Sequence, residues 1–262
     1  MLRKLTIILS IILFTILAGV GGVLYVFYEF GRGLPEIDEL ADYEPPVMTR
    51  VHAGDGRLLA EHAEQKRIFV PQDAMPRRVV QAFLSAEDKN FFYHYGFDFK
   101  GIARAVVSNF KNILSGRRLV GASTITQQVA KNFLLTAEVT IERKIKEAIL
   151  AFRIEHALEK NRILELYLNE IYLGFGSYGV AAAALNYFNK SLNKLTLAEA
   201  AFLAALPKAP NNYNPFNYPK AARDRRDWVI RRMQKNEIIT VEEAESATAT
   251  PVITRKRQKI EY

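Results

Sequence analysis

Residues 5–28 carry no charge, and this run constrains the fold more than any other feature of the chain. It includes the unbroken block Leu5-Thr6-Ile7-Ile8-Leu9-Ser10-Ile11-Ile12-Leu13-Phe14-Thr15-Ile16-Leu17. At ~1.5 Å per residue, a helix of this length crosses the ~30 Å hydrocarbon core of a bilayer. Arg3, Lys4 and the amino terminus precede it; Glu29, Glu36, Asp38, Glu39, Asp42 and Glu44 follow. That asymmetry places the N-terminus in the cytoplasm and the rest of the chain outside. Tyr25, Phe27, Tyr28 and Phe30 mark the outer interface. The alternative is a cleaved signal peptide, but the run is long for that, and Ala18-Gly19-Val20-Gly21-Gly22 is a poor cleavage site.

The chain has 262 residues and 49% are hydrophobic, enough for a sizeable core behind the anchor. It has no cysteine, which excludes disulfides, thiol nucleophiles and thiolate metal sites. The net charge of +8 is unevenly spread. Residues 29–48 hold six acids and one base, whereas residues 220–235 hold seven bases and two acids. A basic face suits nucleic acid, anionic lipid or a phosphorylated substrate, or is simply a solvated helix. No nucleic-acid-binding signature accompanies it.

Residues 29–46 read as a polar linker ending at Pro45-Pro46. Residues 47–52 and 57–62 flank Gly54-Asp55-Gly56, a β-hairpin pattern. From Pro76 on the pattern is helical. Residues 76–86 form a helix with Val80, Phe83, Leu84 and Glu87 on one face. A helix over 102–114 carries Ile102, Val106, Phe110 and Ile113, with Arg104, Lys111, Arg117 and Arg118. It is either an ordinary packed helix or one lying on anionic lipid. Ser123 or Thr124 caps a helix over 125–135. Thr140 begins another, whose apolar stripe is Ile141, Ile145, Ala148, Ile149 and Phe152. Asn161 caps a central helix over 162–173, stopped by Gly174. Helices over 178–188, 197–206 and 221–234 complete the pattern. The fold class is therefore mainly α with a small β-hairpin. No Gly-rich phosphate loop or parallel-sheet alternation appears, which disfavours a Rossmann-type nucleotide-sugar enzyme.

Two carboxylates stand out. Glu87 lies on an apolar stripe, where burial of the charged form raises a carboxyl pKa. A general base working near neutral pH needs that shift. The alternative is a helix-end Glu that reaches water or pairs with Lys89. Glu147 sits four after Arg143 and three after Lys144, the spacing of a helix-surface ion pair. His94 can orient a carboxylate or be a core histidine. The four histidines lack metal-ligand spacing. Lys131, Arg143, Lys144 and Lys146 lie close in sequence to the helix start at Ser123, where free N–H groups suit phosphate. A glycosidase must protonate a poor leaving group and needs an acid beside its second carboxylate. A sugar diphosphate already has a good leaving group and needs positive charge. One base, a cationic clamp and a membrane anchor suit transfer from a lipid-linked sugar diphosphate.

Five blocks, in order, resemble the peptidoglycan glycosyltransferase family (glycosyltransferase family 51). They are Glu87-Asp88-Lys89-Asn90-Phe91-Phe92-Tyr93-His94-Tyr95-Gly96, Gly121-Ala122-Ser123-Thr124-Ile125-Thr126-Gln127-Gln128, Arg143-Lys144-Ile145-Lys146-Glu147, Ile163-Leu164-Glu165-Leu166-Tyr167-Leu168-Asn169, and Arg225-Arg226-Asp227-Trp228-Val229-Ile230-Arg231-Arg232-Met233. The resemblance runs from about Phe69 to Ile239. It implies a lysozyme-like helical fold and polymerisation of lipid II into β-1,4 glycan strands, with inversion and release of undecaprenyl diphosphate. It also implies inhibition by the phosphoglycolipid moenomycin, and a membrane-touching jaw around residues 100–120. Glu87 would be the general base and Glu147 the second essential carboxylate. Asp88, Phe91, His94, Arg104, Ser123, Thr124, Gln127, Gln128, Lys131, Arg143, Lys144, Lys146 and Lys208 would bind substrate. The resemblance leaves open a divalent cation, Mg2+ or Mn2+, and implies no nucleotide; Asp88 either helps such an ion or simply hydrogen-bonds the backbone.

The anchor and hairpin resemble a class A penicillin-binding protein. On that reading the chain divides into a cytoplasmic tail (1–4), a transmembrane helix (5–28), a linker and hairpin (29–68), a glycosyltransferase domain (69–245) and the start of a linker to an absent transpeptidase domain (246–262). No Ser-x-x-Lys and Lys-Thr-Gly set is available for penicillin binding, so a truncated chain or isolated portion is expected. Its place would be the bacterial cytoplasmic membrane, single-pass, with the catalytic domain outside. Partners would be lipid II, the growing strand, membrane lipid and cell-wall synthesis proteins, and no nucleic acid. Val139 stands where the family often has Arg, and Asn189 where Gly is common. Alternative readings are a lytic or hydrolytic enzyme of the same architecture and a non-catalytic lipid II-binding module.

Overall fold

The computed structural model describes residues 2–37, 40, 43, 49–52, 54, 55, 58–62, 66–116, 121, 123–135 and 140–254. The apolar run forms α1 (Leu2–Gly31). Its stretch Thr6–Gly31 is long and apolar enough to cross a membrane, and its side chains are exposed over most of that length. Its C-terminal end is not free. Phe27 meets Phe152 edge-on at 5.9 Å, and the Gly31 carbonyl accepts a hydrogen bond from Arg153 at 3.2 Å.

The hairpin forms as expected. Strands β1 (Thr49–His52) and β2 (Leu58–His62) are antiparallel, with Thr49 opposite His62 and an irregularity between Val51 and His52. A parallel pair follows, β3 (Lys66–Arg67) with β4 (Ser177–Tyr178). Asn169 then stitches the chain after β3 to the core, its side-chain amide accepting from Val70 N–H and donating to Val70 C=O, both at 2.8 Å. Glu165 accepts from Gln72 N–H at 2.8 Å. These two polar residues of the fourth block therefore satisfy backbone groups that would otherwise be buried unpaired.

Nine further helices follow among the described residues. They are α2 (Arg77–Glu87), α3 (Phe99–Leu114), α4 (Ile125–Leu134), α5 (Ile141–Ala157), α6 (Lys160–Glu170), α7 (Val180–Phe188), α8 (Leu197–Ala205), α9 (Pro219–Lys235) and α10 (Val241–Ala249). The chain is mainly helical. Helix α8 is almost wholly buried, and its alanines let α2 and α9 pack closely on it. A capping box between Thr196 and Glu199 starts it. A second group joins α4 to α5 and α6, with the C-terminal end of α1 on α5. Helix α7 contacts both α6 and α8 and links the groups.

Several boundaries and faces differ from the sequence reading. Asn161 does not cap α6: the N-cap is Glu159, and Asn161 lies in the first turn. The helix stops at Glu170, short of Gly174, whose φ of 82° serves the following turn. Tyr178 belongs to β4 rather than to α7. On α5 the buried face is Glu147, Ile149, Leu150, Ala151 and Ile154, while Ile141 is 84% exposed. Phe152, placed in the core stripe by periodicity, faces the anchor helix. Helix α10 was not foreseen, and it crosses the expected boundary at residue 245. Asn189, by contrast, has φ 54° and ψ 42° at the end of α7, a left-handed conformation that Asn tolerates nearly as Gly does.

Candidate active site

Helix α2 delivers Glu87 at its last residue, and Asp88 leaves helical geometry at φ −155°. Pro76 sits just before the helix at the N-cap. Glu87 forms no ion pair with Lys89 among the described residues. Gln128, one face of α4, donates Nε2–H to its carboxylate at 2.9 Å. Burial pushes the Glu87 pKa above the ordinary 4.5. The Gln128 hydrogen bond and the charges of Arg225 and Lys208 pull it down, and Asp88 adds to the rise. Desolvation wins, so the carboxyl holds its proton more tightly than a free Glu.

Asp88 has a different task. Its two oxygens each lie 3.0 Å from His94 Nε2, and one accepts Ile125 N–H at 3.1 Å. Ile125 opens α4, so the carboxylate sits at the positive end of that helix. Thr124 caps the same helix in a capping box with Gln127, and its hydroxyl also donates to the Gly96 carbonyl at 2.8 Å. Gly96 has φ 82° and lies close to the α5 backbone, where a Cβ would approach Ala151 O at 3.2 Å. Asp88, His94, Thr124, Gln127 and Gly96 thus lock the first block to the second.

Phe91 is 0% exposed, with its ring edge-on to Phe92 and His94 and the Lys160 ammonium 4.3 Å from its centroid. It lies beneath the site rather than on its surface, contrary to its expected contact with substrate. Thr124 and Gln127, at 3% and 6% exposure, are likewise framework.

The second carboxylate, Glu147, is 2% exposed on α5. Arg143 donates to it at 3.1 Å and Lys144 forms a short ion pair with it. Lys144 also donates to Ser123 at 2.8 Å. The i, i+3 and i, i+4 spacing is therefore real, but the carboxylate is buried and fixes two cations beside Ser123. The remaining expected cations are separate from this group. Lys146 pairs with Glu142 at 2.6 Å, and Lys131 and Arg104 are exposed. Lys208, exposed after α8, bears on Glu87 by charge. Val139, Arg117 and Arg118 lie outside the described residues.

Sequence reasoning gave no site role to three residues of the fourth and fifth blocks, of which Tyr167 and Arg225 interact with Glu87 by charge. Tyr167 on α6 is 1% exposed, packs edge-on against Phe83 at 6.2 Å, and has no hydrogen-bond partner for its hydroxyl. Burial, then the charges of Glu87 and Asp88, push its pKa well up. Arg225 and Arg232 on α9 flank Trp228. The spacing of these three, i, i+3 and i+7, was the available signal. A cavity of about 720 Å³ between α2, α8, α9 and α10 includes none of these residues.

Among the described residues no group of three or more His, Asp or Glu could hold a metal ion. Of the two roles expected for Asp88, the structure has the backbone hydrogen bond, from Ile125 N–H, and its oxygens are also committed to His94. The donor set does not fit a divalent cation, and no step is derived through one.

A carboxyl of raised proton affinity, bonded from a helix whose start lies beside fixed cations, is an arrangement suited to glycosyl transfer. Residues 55–234 match the family model for Transglycosylase, and the chain belongs to that family. It is 50% identical to penicillin-binding protein 1A of Rickettsia conorii over 261 residues, which is 100% of this chain and 33% of the relative. It is 46% identical to penicillin-binding protein 1A of Aquifex aeolicus over 241 residues, 92% of this chain and 33% of the relative. The chain thus spans about a third of the length of these relatives. A crystal structure of penicillin-binding protein 1A from Haemophilus influenzae aligns with a TM-score of 0.47 at 30% identity, covering 82% of this chain and 22% of that one.

Proposed function

We propose that the chain is a membrane-anchored peptidoglycan glycosyltransferase that polymerises lipid II into β-1,4 glycan strands. The observation that carries this reading is Glu87: a desolvated carboxylate held by Gln128, in a family whose reaction needs a base. Glu87 takes the proton of the acceptor 4-hydroxyl as that oxygen bonds to the donor's anomeric carbon. The bond from that carbon to the diphosphate oxygen breaks on the opposite face, and undecaprenyl diphosphate leaves with the electron pair. Inversion follows from this in-line geometry. Arg143 and Lys144, fixed by Glu147 beside Ser123, supply positive charge for the leaving diphosphate. Lys131 and Lys208 add charge at the rim, and Arg104 lies on the acceptor side.

Helix α1 anchors the domain, with the N-terminus in the cytoplasm and the catalytic domain outside the bacterial cytoplasmic membrane. The exposed Phe99, Val106, Val107, Phe110, Ile113 and Leu114 of α3 suit contact with the same bilayer. Cell-wall synthesis proteins are the expected partners. The test is polymerisation of fluorescent lipid II by the detergent-solubilised chain and by Glu87→Gln. Polymer from the parent and none from the variant is the expected result; equal polymer from both overturns the assignment of Glu87.

A further inference from the structure

Helix α9 presents a face that internal packing does not explain. Arg225, Trp228 and Arg232 follow one another at i, i+3 and i+7. The Arg225 guanidinium lies 3.8 Å from the Trp228 ring centroid and 6.0 Å from that of Tyr213. The Arg232 guanidinium lies 5.5 Å from the same indole. Both arginines are partly buried, and the Nε of each is buried with no hydrogen-bond partner among the described residues. Neither forms an ion pair among the described residues. Their charges oppose one another, and Arg104 of α3 adds a third like charge facing Arg232. Glu87 is the carboxylate whose charge bears on Arg225.

Half-buried like charges without a counter-ion cost folding free energy. Arg226, next in sequence, shows how the fold treats a structural arginine. It is 1% exposed and fully engaged, with Asp227 and the carbonyls of Thr248 and Thr250 as partners. Arg225 and Arg232 are held by aromatic stacking and left with unused N–H donors, which is the arrangement of a guanidinium waiting for an oxyanion.

We infer that the Arg225–Trp228–Arg232 face of α9 is a second anion-binding subsite that receives an oxyanion of the acceptor unit. The acceptor side follows from chemistry. In an inverting displacement the base and the leaving diphosphate stand on opposite faces of the reacting carbon. Helix α9 packs against α2, the helix that ends at Glu87, so Arg225 stands on the base's side and serves the incoming unit. Two oxyanions of that unit share this chemistry, its own diphosphate and the carboxylates of its peptide. This inference rests on the polymerase reading above.

The test compares Arg232→Gln and Arg225→Lys with the parent in lipid II polymerisation, alongside Glu87→Gln and thermal unfolding of each chain. For Arg232→Gln, KM rises about tenfold or more, the worth of one charge-assisted hydrogen bond. Its melting temperature stays equal or rises, because a like charge has been removed. Arg225→Lys keeps the charge but loses the planar fork and raises KM less. A lipid-linked disaccharide diphosphate without peptide separates the sources. A KM penalty that persists assigns the diphosphate, and one that vanishes assigns the peptide carboxylates. Unchanged KM in both arginine variants overturns the subsite, as does a lower melting temperature with unchanged KM, which would make these arginines structural. If Glu87→Gln still makes polymer, the base assignment fails instead, and the arginine result stands or falls separately.

Discussion

Two groups of cations belong to the candidate site, and they are built on opposite principles. On α5, Arg143 and Lys144 converge on the buried Glu147, and Lys144 reaches on to Ser123. The carboxylate neutralises part of their charge and holds them in place, so this side is preorganised before substrate arrives. On α9, Arg225 and Arg232 stand on Trp228 with no internal acid of their own. Stacking fixes their planes, but their charge is left for a ligand. The first group gives position at the expense of charge; the second gives charge at the expense of stability. Glu87 lies between these influences, hydrogen-bonded from α4 and polarised from α9.

The largest expected effect lies at the point where the two regions meet. Glu87→Gln keeps an acceptor for Gln128 but removes the base, and turnover falls by ~10²–10⁴ in a polymerisation assay. The same substitution has a stability signature. Glu87's folded pKa is raised, so its contribution to stability is full below the ordinary carboxylate range and is lost as pH rises through the folded value. Glu87→Gln therefore unfolds at a higher temperature than the parent at neutral pH, and the gap closes in acid. A gap that is constant with pH would remove the desolvation account.

Breaking the self-neutralised side comes next. Glu147→Gln leaves Arg143 and Lys144 without their common carboxylate and costs roughly 1–3 kcal/mol in denaturant unfolding, since Lys144 stays half exposed. Turnover drops as well, because the cations lose their fixed place. A stable Glu147→Gln of normal rate would show that charge alone, without position, is enough there. Asp88→Asn weakens the lock between His94 and the start of α4 by about 1–2 kcal/mol, read as a lower melting temperature. The smallest effect is at Tyr167. Its unpartnered hydroxyl sits near Glu87 and Asp88, so Tyr167→Phe leaves stability nearly unchanged. The acid limb of the pH–rate profile stays in place, because a phenol that keeps its proton puts no charge on Glu87; a moved limb would show that it hydrogen-bonds the carboxylate.

Much of this was legible from local pattern. The anchor, the hairpin, the Thr124 cap and the desolvated Glu87 each depend on neighbours in sequence, and each appears where expected. The failures are tertiary. Phe152 lies on an apolar stripe by periodicity, yet α5 is turned so that Glu147 goes inward and Phe152 meets α1. Phe91 belongs to the first block, but the turn after α2 folds it under the site. Glu165 and Asn169 stand in the fourth block, and their use, bonding the chain after β3, depends on a contact distant in sequence. The α9 arginines were visible as a basic cluster, but their relation to Glu87 depends on how α9 packs against α2, which no local spacing encodes.

The most direct measurement is the pH dependence of initial polymerisation rate with lipid II, for the parent and for Glu87→Gln. The account predicts a parent rate that falls in acid with a midpoint above the ordinary carboxylate value of 4.5, and no polymer from Glu87→Gln at any pH. A Glu87→Gln rate near the parent's, or a parent acid limb at or below that ordinary value, would contradict it.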